Sequence, residues 1–222
     1  LTILFHYHCY SQTQSREKTD SLLSVLSTAK EDSVKVNTLN EIVSSFRYSN
    51  TDSALYYSNM ALALATKLNY KMGIADVKRK RGALYADLGN FEEGFKSANE
   101  ALLILNKLLL SATGAEKESI KRKIGSTYNV LGHNTISKGN FPEGLKYSFL
   151  ALKVREEIGD KQGIADTEYN IGNIYSSQGN YTEALKHYEI SLKQSIEIGN
   201  KKDIPWAYNT IAWVYISQGN FA

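Results

Sequence analysis

The sequence predicts an all-α fold, a solenoid of helix-turn-helix repeats. A Gly-Asn pair followed by an aromatic residue recurs at intervals of 50, 40 and 40 residues, and a fixed period in this range is typical of solenoids. The pairs begin at Gly89, Gly139, Gly179 and Gly219. Apolar residues between the pairs recur every three or four positions, as on one face of a helix. Only 2 prolines occur in 222 residues, which suits long helices because an interior proline removes a hydrogen bond.

The helices can be assigned in order along the chain. Residues 15–32 carry Leu22, Leu23 and Leu26 at helical spacing and predict a first helix. A turn at 49–52 separates the two helices of the first repeat, and Asp52 is predicted to cap the second of them. Each Gly-Asn pair separates later helices in the same way. The predicted solenoid spans 15–222, with approximate repeats 33–70, 73–110, 115–158, 163–198 and an incomplete repeat 203–222.

Residue size is also periodic within the repeats. A small residue stands seven positions before each turn glycine. These small residues are Gly82, Gly132, Gly172 and Ala212. They let the two helices of a repeat approach closely, while large side chains on the next turn fill the remaining space. The turn glycines are expected in the left-handed conformation, which costs other residues energy. The repeat 163–198 shows this pattern most completely.

Two repeats depart from the pattern. The interval between the first two turn glycines contains ten extra residues, which predict two lengthened helices joined by a turn at Thr113 and Gly114. In the second repeat, Lys78 and Arg81 stand where the pattern places large apolar residues. The first helix of that repeat is therefore predicted to be the least buried in the chain, with its long side chains lying along apolar neighbours.

A small residue, an aromatic residue one turn later, Gly-Asn-aromatic and then Ala-Leu together resemble the tetratricopeptide repeat, over about residues 33–222. The usual period of that repeat is about 34 residues. Here the period is 40, and the segment 158–166 replaces the proline that normally closes a repeat. This longer form is similar to the repeats of kinesin light chains, of spindle-orientation adaptors and of bacterial sensor proteins. The resemblance implies a right-handed α-α superhelical solenoid of about four and a half repeats.

In tetratricopeptide arrays, the first helix of each repeat lines a concave groove that binds a protein or peptide partner. On this sequence, that register implies a peptide-binding groove formed by Asn129, Tyr169, Asn170, Asn173, Trp206, Asn209 and Trp213. The segment 170–173 resembles the asparagine-rich signature with which the longer-repeat adaptors hold a peptide backbone. An asparagine amide both donates and accepts hydrogen bonds, so it can pair with the amides of any peptide. Alternatively, Trp206 and Trp213 pack on a further helix.

The sequence contains no motif of catalysis or cofactor binding. It lacks a phosphate-binding glycine loop, the dinucleotide-binding glycine pattern, a His-Glu-x-x-His zinc motif and a Gly-x-Ser-x-Gly nucleophile motif. The single cysteine excludes an internal disulfide and a cysteine-rich zinc site. His133 and His187 are predicted to lie at the surface or in the groove rather than to bind a metal. No catalytic, cofactor-binding or metal-binding residue is therefore predicted.

Nucleic acid is not an expected partner. The net charge of +3 is small for a protein that binds nucleic acid. The basic runs 78–81 and 121–123 do not form a flat stripe, because consecutive helical residues point about 100° apart. Aromatic residues, on which bases could stack, are not interleaved with these runs.

The first residues of the chain form an apolar and aromatic stretch that is followed by polar residues. This order predicts that residues 1–14 are a truncated signal peptide or leader. A frayed tail and a short buried segment are the alternatives. We therefore expect export to the periplasmic side of a bacterial membrane, with the cytoplasm as the alternative location.

The expected function is a non-catalytic scaffold that binds a protein or peptide partner in the groove. The 40-residue period and the predicted leader are similar to the sensory regions of bacterial signalling proteins, whose output is a histidine kinase, a cyclase or a transcriptional regulator. Membrane association would then run only through a downstream transmembrane segment. The alternative is a free-standing adaptor with more repeats and no output domain.

Overall fold

The computed structural model describes residues 17–218, which contain ten α-helices and no strand. The predicted all-α repeat fold is confirmed. Helix α1 spans residues 17–28. The other helices are α2 (Ser33–Phe46), α3 (Thr51–Lys67), α4 (Lys71–Asp87), α5 (Phe91–Leu109), α6 (Gly114–Ser137), α7 (Phe141–Glu157), α8 (Lys161–Ser177), α9 (Tyr181–Glu197) and α10 (Asp203–Ser217). The predicted leader lies outside the described residues. Between residues 17 and 218, no helix is both long and apolar enough to span a membrane.

The chain divides between Ile104 and Leu105 into an N-terminal and a C-terminal compact unit. In the N-terminal unit, α2 packs against α3, α3 packs against α4, and α2 also contacts α4. In the C-terminal unit, each helix from α6 to α10 packs against the next one along the chain, and α6 also contacts α8. The first helices of successive repeats therefore lie side by side within each compact unit.

Small residues bring paired helices together as predicted. A Cβ atom on Gly172 of α8 would lie 2.6 Å from Cε1 of Tyr188 on α9, which is too close for two carbon atoms. Tyr188 is only 1% exposed, so its ring has no free space to move into. One repeat earlier, a Cβ atom on Gly132 would lie 3.2 Å from the backbone oxygen of Gly144. In these two helix pairs, a glycine therefore allows the paired helices to approach closely.

In the Gly-Asn pairs that begin at Gly89, Gly139 and Gly179, the glycine ends one helix and the asparagine caps the next. Gly89, Gly139 and Gly179 end their helices with φ angles of 75°, 81° and 73°, which confirms the predicted left-handed conformation. The asparagine that follows caps the next helix. Asn180 Oδ1, for example, accepts a hydrogen bond of 3.3 Å from the backbone N–H of Glu183. The motif therefore ends one helix and begins the next.

The prediction that Asp52 caps α3 is wrong. The cap is Asn50, whose Oδ1 accepts a hydrogen bond of 2.9 Å from the backbone N–H of Ser53. Asn50 stands 40 residues before Asn90, and it caps its helix in the same way as the asparagine of each of these Gly-Asn pairs. Asp52 lies in the first turn of α3, where a negative charge is favourable beside the helix N-terminus.

The ten extra residues lengthen two helices, as predicted. Helix α5 has 19 residues and α6 has 24, whereas α7, α8 and α9 have 17 each. The turn between the two long helices includes Thr113, which is the N-cap residue of α6. Gly114 follows with a φ of 53°.

The prediction that α4 is the least buried helix is wrong. Seven residues of α4 are buried, compared with two of α10. Its basic side chains are folded against neighbouring groups. Lys78 pairs with Glu100, and a guanidinium nitrogen of Arg81 donates a hydrogen bond of 2.7 Å to the hydroxyl group of Tyr85. These partners hold the amine of Lys78 and one nitrogen of Arg81, while Nε of Arg81 is buried without a hydrogen-bond partner in the described chain. The helix therefore packs in spite of its charges.

Candidate functional site

The first helices of the C-terminal compact unit, α6, α8 and α10, line two adjoining cavities. The larger cavity has a volume of about 370 Å³ and the smaller one about 160 Å³. Asn129 and Asn170 line both cavities. We call the two cavities together the C-terminal groove. The other lining residues are Ala165, Asp166, Tyr169, Ser191, Ser195, Asp203, Trp206 and Ala207 in the larger cavity, and His133, Ile136, Ser148, Asn173, Ile174 and Ser177 in the smaller one.

The structure brings five of the seven predicted groove residues together. These five are Asn129, Tyr169, Asn170, Asn173 and Trp206. Asn209 and Trp213 are exposed on α10 and line neither cavity. Helix α10 is the last helix of the described chain, so these two side chains have no facing helix there. The peptide-binding role of all seven residues stays a prediction.

A hydrogen bond between two aromatic side chains joins α8 to α10 beside the larger cavity. Nε1 of Trp206 donates a hydrogen bond of 2.7 Å to the hydroxyl group of Tyr169. The same hydroxyl group lies 3.3 Å from Oγ1 of Thr210. Trp206 is 64% exposed, so its ring stands at the cavity rim while its N–H group is held. An aromatic face is thereby exposed at the cavity rim.

The three asparagines of the groove differ in what they offer. Asn170 is exposed, and its side chain makes no hydrogen bond to any residue between 17 and 218. Asn129 donates a long hydrogen bond of 3.4 Å to Oγ1 of Thr167, while its Oδ1 is buried and lacks a partner in the described chain. Asn173 instead uses its Oδ1 to accept a hydrogen bond from Tyr188. The side-chain amide of Asn170 and Oδ1 of Asn129 are therefore without a hydrogen-bond partner in the described chain.

Two carboxylates of the larger cavity, Asp166 and Asp203, were not predicted from the sequence. The side-chain amide of Gln162 donates hydrogen bonds of 2.9 Å to Asp166 and 3.0 Å to Asp203. Asn200 donates a further hydrogen bond of 2.6 Å to Asp203. Partial desolvation raises the pKa of Asp166, although Gln162 and the more distant Arg155 act in the opposite direction. Within residues 17–218, neither carboxylate forms a salt bridge.

The two predicted surface or groove histidines have different environments. His133 lines the smaller cavity, as predicted. His187 lies instead between α8 and α9, where its Nδ1 is 2.6 Å from a carboxylate oxygen of Glu168 and its ring stacks on Tyr175. The prediction for His187 is wrong, because Glu168 on the facing helix provides a buried partner. No group of histidine, cysteine and acidic residues in the described chain could hold a metal ion.

Two family models match the sequence. The tetratricopeptide repeat model matches residues 123–189 and 163–222, and the model of the SusR N-terminal TPR domain matches residues 7–103. Together they match most of both compact units, apart from residues 1–6 and 104–122. Among curated proteins, the comparison gives no match.

Solved structures show the same fold. A Rap protein complexed with Competence and Sporulation Factor is 16% identical, with a TM-score of 0.71, over 96% of this chain and 64% of that one. BtubC from P. vanneervenii is 15% identical, with a TM-score of 0.65, over 94% of this chain and 83% of that one. A signal-transduction ATPase with a tetratricopeptide repeat sensor from Pyrococcus horikoshii is 18% identical, with a TM-score of 0.66, over 93% of this chain and 31% of that one.

Proposed function

Because the chain belongs to the tetratricopeptide-repeat family, whose fold serves as a protein-binding scaffold, we propose that the C-terminal groove binds an extended segment of a protein or peptide partner. One observation carries the proposal. Two adjoining cavities are lined by three successive first helices, and the asparagines that connect the cavities keep polar atoms without a partner in the described chain. A likeness of fold to a Rap protein that is complexed with Competence and Sporulation Factor is consistent with it.

The chemistry of the groove suits a peptide backbone. An extended peptide presents an N–H donor and a C=O acceptor at each residue, and it needs partners of both kinds when it leaves water. The amide of Asn170 supplies both, and Oδ1 of Asn129 accepts. Tyr169 and Trp206 add aromatic surface, which is the usual source of strong anchoring contacts.

The proposal can be tested with the chain 1–222 and a displayed library of random linear peptides. A peptide enriched from that library is titrated by calorimetry against the unmodified chain and against Asn129→Ala/Asn170→Ala. The proposal predicts an affinity about tenfold lower, or weaker still, for the double variant. Asn106→Ala, which changes an exposed asparagine on α5, is the matched control and should bind normally. Equal affinity of both variants, with unchanged circular dichroism, would refute binding in this groove.

We also propose a context for the scaffold, as the sensory or interaction region of a larger bacterial signalling protein. Its output would be a histidine kinase, a cyclase or a transcriptional regulator outside these 222 residues. The fold of the repeat sensor in a signal-transduction ATPase, of which this chain spans 31%, supports this context. The gene sequence after Ala222 tests it. A transmembrane segment followed by an output domain is the expected result, whereas further repeats and a stop codon would favour the free-standing adaptor.

The proposed location of the scaffold is the periplasmic side of a bacterial membrane. It rests on the apolar stretch followed by polar residues within residues 1–14. Cell fractionation of the protein with its natural N-terminus tests this location. Recovery in the periplasmic or membrane fraction is expected, and recovery in the cytosol with residues 1–14 intact would contradict it.

A further inference from the structure

Arg155 fills a space between two first helices of the C-terminal compact unit. The side chain is only 5% exposed. Its guanidinium group donates a hydrogen bond to the backbone oxygen of Gly163 on α8 and one of 3.4 Å to Oγ of Ser126 on α6. Two glycines make room for it. A Cβ atom would lie 3.1 Å from Arg155 Cγ if it were built on Gly125, and 2.7 Å from Nη1 if it were built on Gly163.

The next repeat has a cavity at the corresponding place and lacks the arginine. Forty residues after Arg155 the chain has Ser195. The three residues that surround the guanidinium group, Gly125, Ser126 and Gly163, correspond by the same interval to Ala165, Asp166 and Asp203. Ser195 and these three counterparts all line the larger cavity. The larger cavity therefore lies in the register of the Arg155 site, with Ala165 and Asp203 in place of its two glycines.

The residues that replace Arg155 and its neighbours in the larger cavity have hydroxyl and carboxylate groups with few hydrogen-bond partners. Ser195 is 1% exposed and Ser191 is also buried, yet neither hydroxyl group has a hydrogen bond within the described chain. Asp166 and Asp203 receive hydrogen bonds only from the neutral amides of Gln162 and Asn200. Neither carboxylate forms a salt bridge within residues 17–218, although the more distant Arg155 favours the charged form of Asp166. The buried hydroxyl groups of Ser191 and Ser195 and the carboxylates of Asp166 and Asp203 thus provide hydrogen-bond acceptors on several sides of the larger cavity.

We propose that the larger cavity binds the guanidinium group of an arginine side chain from the partner. This inference rests on the proposed binding of a peptide in the C-terminal groove and names the side chain that the groove selects. A guanidinium group presents five N–H donors in a planar fork, which suits two carboxylates and two serine hydroxyls. Trp206 at the rim offers its ring to the same cation. Arg155 shows that a guanidinium group fits between two first helices one repeat earlier, where two glycines leave room for it. In the larger cavity Ala165 and Asp203 replace these glycines, so a bound guanidinium group would lie further from the backbone and closer to the carboxylates.

The probe for this site is N-acetyl-arginine amide, compared with N-acetyl-citrulline amide, which has nearly the same shape but no charge. The chain 1–222 is titrated with each compound, and the indole N–H signal of Trp206 is followed by NMR. The arginine compound is expected to shift that signal with saturation and to bind about tenfold tighter than the citrulline compound, or more. Equal titration curves for the two compounds would overturn the inference.

Three variants test whether the arginine compound binds in the larger cavity. Asp166→Asn/Asp203→Asn keeps the shape of the walls but removes both charges, so the arginine compound should lose at least about tenfold in affinity. Glu189→Gln, which neutralises an exposed carboxylate on α9, should bind normally. Ser195→Arg should fill the cavity with a guanidinium group of the chain itself and abolish binding, while circular dichroism shows a folded protein. Unchanged binding by Ser195→Arg would overturn the inference.

The failure of this inference can be told apart from failure of the proposed function. In an enriched peptide that contains arginine, replacement of the arginine by citrulline should lower the affinity about tenfold or more. If peptides bind, and if their binding depends on Asn129 and Asn170 but not on arginine or on Asp166, the arginine site is refuted and the groove stands. If the arginine compound binds through Asp166 but no peptide binds more tightly, the site stands and peptide binding is refuted.

Discussion

Tyr188 on α9 donates a hydrogen bond of 2.8 Å from its hydroxyl group to Oδ1 of Asn173 on α8, across the most regular helix pair of the chain. The bond fixes the orientation of an asparagine that lines the smaller cavity. The ring of Tyr188 lies against Gly172, where no side chain intervenes. Burial raises the pKa of Tyr188 to about 12 from the ordinary value of 10.0. This helix pair is therefore held together by a tyrosine that must stay protonated.

We predict that Tyr188 makes the protein sensitive to alkaline pH. In the unfolded chain Tyr188 loses its proton near pH 10, whereas in the folded chain it keeps the proton until about pH 12. The stability that Tyr188 contributes is therefore fully present below pH 10 and is lost as the pH rises towards 12. Urea titrations at a series of pH values, followed by circular dichroism, measure this loss.

Tyr188→Phe provides the comparison for this prediction. The variant is expected to be less stable at neutral pH by about 1 kcal/mol, because Asn173 loses its hydrogen bond. Its free energy of unfolding should fall less between pH 10 and 12 than that of the unmodified chain. Tyr48→Phe, at an exposed tyrosine, should follow the unmodified chain. An alkaline loss of the same size in Tyr188→Phe would contradict the prediction.

Two glycines should respond differently to the same substitutions. Gly172→Ala forces a methyl group into the ring of Tyr188 and is expected to destabilise the fold by about 1–3 kcal/mol. Gly179→Ala meets no neighbouring atom, but its φ of 73° costs an alanine about 1 kcal/mol. Asparagine tolerates the left-handed conformation, so Gly179→Asn should be milder than Gly179→Ala. Gly172→Asn should be worse than Gly172→Ala, and the urea midpoints of the four variants test this reversal.

Arg155 should contribute much more to stability than a surface cation of the same compact unit. Arg155→Ala is expected to cost about 3 kcal/mol, because it leaves a cavity and removes the donor for the backbone oxygen of Gly163. Lys146→Ala removes an exposed pair with Glu143 and should cost about 0.5 kcal/mol or less. Free energies of unfolding in urea test the difference. Similar costs for the two variants would mean that the guanidinium group is not a packing element.

The turns of the fold could be predicted from the sequence because they depend on local conformational needs. Gly139 must adopt a positive φ, and the asparagine after it must accept a backbone hydrogen bond, so few other residue types serve there. The same reasoning gave the wrong cap in the first repeat, where no glycine precedes Asn50 and Asp52 is an equally suitable residue type. Local preference alone does not choose between two capping residues two positions apart.

Features that depend on a facing helix could not be predicted in the same way. The burial of Lys78 depends on Glu100, and that of His187 depends on Glu168, in each case a partner on another helix. The larger cavity was missed for the same reason, although the 40-residue register contained a signal for it. Alignment of Arg155 with Ser195 shows that a large residue is replaced by a small one. Only the structure shows that no other side chain fills the space.

Binding of a partner along α6, α8 and α10 in the C-terminal groove is the proposal on which the function of the protein depends. The most direct measurement is the paramagnetic broadening of backbone amide NMR signals by a spin-labelled peptide that has been enriched from the random library. We expect broadening at groove positions such as Asn129, Asn170 and Trp206. Broadening confined to the exposed surfaces of α7 and α9, or to the N-terminal compact unit, would contradict it.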